Sequence, residues 1–208
     1  MTKITSVLAL VGLVFSCLSL ITQAEYDPPT SVGNPEFPED LVIPPEIAVD
    51  LDKNKYAFSL CPIAVVQYKC AAAGWEFVGP LGVLVNDCKD FKEVIDHPDF
   101  VTAVSLFDTQ TSSTPSGGFR SAIPSDTSSS LFRVETTVDA PNPSEDNAWL
   151  RSVAFGQTGT GAFSDVTYLQ RVNTKGGIAP SPSLCNSTNN GYVYSSRFSA
   201  IILFYKKK

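Results

Sequence analysis

The residues of this 208-residue chain whose types and spacing could do chemistry are few: five cysteines, one histidine, one glycine-rich string and a scatter of acids. Cys61, Cys70 and Cys88 follow one another at spacings of nine and eighteen, and Cys185 stands far downstream. Thiolate metal sites use pairs separated by two to four residues, so no metal ligand is assigned. An even set of four in an oxidising compartment predicts two disulfides, with three connectivities among which spacing does not choose. One bond must tie Cys185 to the upstream cluster, which in the chain-entropy account contributes on the order of 3–5 kcal/mol. Nucleophilic catalysis by Ser or Cys needs a histidine as base, and His97 in Asp96-His97-Pro98-Asp99 reads as an exposed turn residue. There is no G-x-S-x-G elbow, so no catalytic residue is assigned. Gly156-Gln157-Thr158-Gly159-Thr160-Gly161 lacks the Lys-Ser/Thr of a phosphate loop and the spacing of a dinucleotide fingerprint, and reads as a hairpin loop. No cofactor is expected.

Three weaker signals concern the surface. Asn186-Ser187-Thr188 is a glycosylation sequon in a turn-rich stretch. Trp75, Trp149, Tyr192 and Tyr194 could stack on sugar rings, although aromatics in strands usually pack. Asp and Glu number 21, so a carboxylate pair at the roughly 5–10 Å separation of a glycosidase is a matter for the fold. The formal net charge of −6 argues against a nucleic-acid partner, which would call for a basic footprint.

The elements that would carry these residues begin with an address. Lys3, the apolar stretch from Val7 to Ile21 and the small residues before Glu25 predict a cleaved signal peptide over residues 1–24, which would remove Cys17 and direct the chain to a secreted, extracellular or cell-wall location. The run is too short for a membrane span, and no second one follows. Residues 25–52 hold six of the fifteen prolines and many acids, and read as an extended arm or linker. Residues 53–208 then form one domain. Seven β-branched or aromatic runs are punctuated by Gly, Pro, Ser and Asn: Ile63–Cys70, Trp75–Val85, Val101–Phe107, Leu131–Val138, Trp149–Phe155, Val166–Val172 and Tyr192–Tyr205. Val166–Val172 alternates as a half-buried strand in which Gln170 and Arg171 need no special role, and Ala200–Tyr205 is apolar on both faces. Residues 109–130 read as a long exposed loop. One short helix is expected over Asp87–Asp96, ended by Pro98. The fold class is therefore all-β, an antiparallel sandwich or barrel of about seven or more strands with one short helix.

The string from Val166 through Tyr168, Gln170-Arg171-Val172-Asn173-Thr174 and Gly176-Gly177 to Ala179-Pro180, a Y-x-Q-R-V-N-T-x-G-G-x-A-P pattern followed by Cys185 and a terminal aromatic strand, resembles a family of secreted proteins of unknown function from fungi and bacteria. Its fungal members often carry a malate dehydrogenase label, which the missing dinucleotide fingerprint here does not support. Gln67-Tyr68-Lys69-Cys70 and Trp75 to Gly79 resemble an earlier signature of the same family, and the matches bracket about residues 63–205. The resemblance implies an extracellular β-rich domain without assigned catalytic residues. It also implies that Cys70 pairs with Cys185, which leaves Cys61 for Cys88. A fainter similarity to slime-mould spherulins, proteins of encystment, rests on no separate motif. The expected function is a disulfide-bonded structural or binding protein of the cell wall, spore or cyst coat or matrix, with wall polysaccharide or matrix components as partners. A secreted carboxylate-dependent glycan hydrolase is the alternative.

Overall fold

The computed structural model describes residues 27–91, 93–108 and 116–208. The expected signal peptide and Cys17 lie outside them. Eight strands run in chain order: β1 (Asn54–Ala71), β2 (Gly74–Val85), β3 (Ala103–Asp108), β4 (Ser116–Ser121), β5 (Ser129–Val138), β6 (Trp149–Thr158), β7 (Val166–Gly176) and β8 (Val193–Lys207). Each pairs antiparallel with the next, and β8 returns to β1, so the sheet closes into an up-and-down barrel. We call the end bearing the β1–β2 turn the upper end. No helix among the described residues is long and apolar enough to cross a membrane.

Two elements depart from the sequence reading. β4 lies inside the stretch expected to be an exposed loop. Its Ser and Gly have low strand propensity, but the pairing needs them: a Cβ on Gly118 would lie 2.4 Å from the Ser130 carbonyl oxygen of β5. The helix expected over Asp87–Asp96 is broken into a 3-10 turn, Cys88–Phe91, and a single α-turn, Glu93–Asp96. So short a segment has too few hydrogen bonds to propagate, and the disulfide of Cys88 to Cys61 holds its start against β1. The second disulfide joins Cys70, near the upper end of β1, to Cys185 in the segment leading into β8. The glycine-rich string is a loop only in its second half: Gly156–Thr158 end β6 paired with β5, and the β6–β7 connection starts at Gly159, with Gly159 and Gly161 at positive φ.

The lower lumen is packed with rings. Phe204 stacks on Phe58 with centroids 4.7 Å apart and meets Phe163 and Phe119 edge-on at 5.4 and 5.6 Å. Leu60, Leu84, Val166 and Leu169 complete this core. A second apolar cluster lies outside the wall, where the proline-rich residues before β1 are laid across β7 and β8. Pro45–Ile47 makes a 3-10 turn that drives Ile47 against Val172, Leu203 and Tyr205, leaving it 0% exposed. Asn34 and Ser59 exchange both backbone hydrogen bonds at 2.9 Å, fastening the arm to β1. Gln170 is the internal clamp: its Nε2 donates to the Ile47 carbonyl (2.6 Å) while its Oε1 accepts from the Tyr205 hydroxyl (2.6 Å). Burial pushes the Tyr205 phenol up to about 12, so it remains a donor at any ordinary pH. β8 is apolar on both faces for this reason: Ala200, Ile202 and Phe204 belong to the lumen core, and Leu203 and Tyr205 to the cluster under the arm.

Candidate functional site

Above the packed rings the lumen is not filled. A cavity of about 170 Å³ is lined by Ala64, Phe77 and Pro80 on one side and by Phe119, Phe132, Val134, Leu150 and Phe198 on the other. Its size follows from small residues facing inward. A Cβ placed on Gly117 would meet nothing nearer than 3.9 Å, and Gly117 is not at positive φ, so space a side chain could occupy is left open. The wall beside it is also incomplete. β2 and β3 pair only through Val83 with Val104 and Leu84 with Ala103. At the next position the Ser105 hydroxyl bonds both the N–H (3.0 Å) and the carbonyl (2.9 Å) of Gly82 in place of a ladder partner. From Gly74 to Leu81, β2 is paired with β1 alone, and Pro80 suits a strand half that needs fewer donors. Phe77 and Val134, each 49% exposed, stand where this lining meets solvent.

Among the described residues one charged side chain lines the cavity, and no carboxylate does. Arg171 projects from β7 into the lumen, its Nη2 donating to the Ala148 carbonyl (2.8 Å) and its guanidinium lying over the Phe198 ring at 5.5 Å. Nε is closed off from solvent without a hydrogen-bond partner, and the guanidinium is ion-paired to no carboxylate among the described residues. Burial pulls its pKa down to about 10, with the neighbouring Tyr68 acting the other way, so it carries its charge at neutral pH. Tyr68 donates to the Gly177 carbonyl (2.7 Å), and burial raises its phenol.

The two ends of the barrel are fastened by similar carboxylates. At the lower end Asp126 accepts from the backbone N–H groups of Ser128 and Ala162, each at 2.8 Å, and from the Ser128 hydroxyl. Burial raises its pKa, but these bonds outweigh burial and hold the carboxyl below its usual range. At the upper end Asp146 is held low first by the Gly176 N–H (2.9 Å), then by Lys175 (3.0 Å). There Gly176 and Gly177, both at positive φ, bring the end of β7 against the β5–β6 loop: Asn147 N–H donates to Gly176 O (2.9 Å), and a Cβ on Gly177 would strike the Phe198 ring at 2.6 Å.

The remaining singled-out residues are dispersed. Asn186 is exposed, its side chain accepting from Thr188 N–H (3.0 Å) in the turn Ser187–Asn189. Trp149 is packed in the cluster under the arm, whereas Trp75 sits at the upper rim, its indole donating to Ser181 O (3.2 Å) beside Tyr194. His97 is exposed at the start of the turn Pro98–Phe100. No group of three or more His, Cys, Asp or Glu side chains gathers as a metal site among the described residues. Arg171 is the residue that strand reasoning passes over: β7 is buried on both faces rather than one, with Gln170 under the arm and Arg171 in the lumen. The alternation does place Arg171 on the Leu169 face, but nothing local says that this face is the inside of a barrel.

No curated protein and no solved structure matches this chain. A family model matches residues 52–206, nearly the whole barrel, and by that match the chain belongs to the DUF3455 family, described as proteins of unknown function.

Proposed function

We propose that the chain is a secreted, disulfide-bonded binding protein of a cell wall, spore or cyst coat or extracellular matrix, and that its upper lumen takes a small, mainly apolar molecule. The cavity carries this reading. Protein interiors are ordinarily packed as densely as organic crystals, and this barrel meets that standard in its lower half while leaving space beside an incomplete wall in its upper half. Among the described residues the lining holds no carboxylate, so these residues give the glycan-hydrolase alternative no acid–base pair at this site. The test is saturation-transfer NMR on the secreted, disulfide-intact protein with benzyl alcohol and toluene as probes. Transfer to both is expected, lost in Gly117→Leu; no transfer to either overturns the reading. Peptide mapping of the same material should find a new N-terminus near Glu25, two disulfides and a glycan on Asn186, and a retained leader with free thiols would refute the secreted location.

Contact with wall polysaccharide is a second reading, favoured by the rim aromatics. Tyr192 and Tyr194 are 61% and 38% exposed beside Trp75. Retention on wall polymers, reduced in Tyr192→Ser, is the expected result; equal retention of both proteins would count against it.

A further inference from the structure

Resting on the reading of the upper lumen as a binding site, we infer that its ligand is a small carboxylate, an aromatic or short branched acid whose ring or alkyl body fills the cavity while its carboxylate meets Arg171. The size argues for a small body: a cavity of about 150 Å³ holds a benzene ring and not a long acyl chain, and the space here is about 170 Å³. The lining argues for an apolar one, since Phe119, Phe132 and Phe198 supply ring faces and edges and Leu150, Leu169 and Ile202 supply aliphatic surface.

The charge argues for an anion. A guanidinium removed from water costs several kcal/mol unless it is paired and its donors are bonded. Arg171 is half-buried with its Nε closed off, whereas the fully buried polar side chains of β7 are answered: Gln170 is bonded at both ends, and Thr174 donates to Asn147 O. Arg171 has one hydrogen bond among the described residues, to a neutral carbonyl, and a ring face. Neither supplies negative charge. The guanidinium is anchored by its bond to Ala148 O and lies over the Phe198 ring, and a planar donor fork matches the two oxygens of a carboxylate. A neutral ligand would fill the same space and leave that charge unanswered, so the site discriminates by charge as well as by shape.

The experiment compares benzoate with benzyl alcohol, which share a ring and differ in charge, binding to the full secreted chain at pH 7 by calorimetry. Benzoate is expected to bind at least tenfold more tightly, and Arg171→Met, which keeps the apolar volume, is expected to abolish the preference while still taking benzyl alcohol. Because that variant could alter folding, the Arg171 Nε–Hε resonance of the unmodified protein is followed in parallel; it should shift with benzoate and stay with benzyl alcohol. Equal affinities, a benzoate preference that survives in folded Arg171→Met, or an unmoved Nε–Hε resonance would each overturn the inference while leaving the apolar site standing. Binding of neither compound would instead remove the site itself.

Discussion

The two halves of the lumen are built on the same eight strands and sealed by similar carboxylate clamps, yet one is solid and the other is open. Below, Phe58, Phe119, Phe163 and Phe204 interlock, and the ends of the loops are tied by Asp126. Above, Gly117 leaves space, β2 parts from β3, and a charged side chain points into apolar surroundings. The lower half is what makes the upper half possible. Burial of the phenylalanine cluster supplies the stability from which an unfilled volume and an uncompensated guanidinium can be carried. The disulfides divide in the same way: Cys61–Cys88 lies on the side of the packed end, and Cys70–Cys185 ties down the rim near the open one.

Substitutions should separate the halves. The largest effect belongs below: Phe204→Ala removes a fully buried ring and is expected to cost about 3–5 kcal/mol, read as a fall in the denaturant midpoint. A cost under about 1 kcal/mol would mean that the lower lumen is not the stabilising half. Above, the sign reverses. Arg171→Met exchanges a half-buried charge, with no ion-pair partner among the described residues, for an apolar chain and should raise stability by about 1 kcal/mol, where a loss of that size would reveal a partner the guanidinium already has. Gly117→Val is smaller, a gain of about 0.5–1 kcal/mol from filling space and from strand propensity; destabilisation would show that the space is not open.

The smallest difference is between the clamps. Both Asp126 and Asp146 have carboxyl pKa values lowered on folding, so their stabilisation is fully present above the unfolded value of about 3.9 and is lost as pH falls through the lower folded values. Acid unfolding followed by circular dichroism should therefore begin below about pH 4. Asp126→Asn and Asp146→Asn should each lower the neutral-pH melting temperature and flatten that acid limb, while only the Asp146 variant should loosen hydrogen-exchange protection at Asn147 and Gly177. Equal loosening at both ends in either variant would erase the distinction.

Much of this was legible along the chain because alternation and turn chemistry are local. The terminal strand and the turn at Gly159 and Gly161 follow from residue types that leave the backbone few choices. The string from Gln170 to Pro180 mainly builds the upper closure, with Thr174, Gly176 and Gly177 all bonded to the β5–β6 loop or packed beside it. β4 was not legible. Its Ser and Gly give no strand signal of their own, and the close approach that calls for Gly118 is made by the Ser130 carbonyl of β5, a residue of another strand.

What the sequence by itself determined is that the chain is all-β, stapled by cysteines and without a recognisable catalytic string, because period, turn residues and spacing are properties of neighbours along the chain. Tertiary structure alone decided that the sheet closes, that the proline-rich arm covers β7 and β8, and that of two adjacent polar residues Gln170 is satisfied beneath the arm while Arg171 enters the lumen. The reason is physical: alternation puts residues on opposite faces of a strand, but which face becomes interior, and whether a buried charge finds a partner there, depends on segments more than a hundred residues apart, such as Ile47 and Gln170.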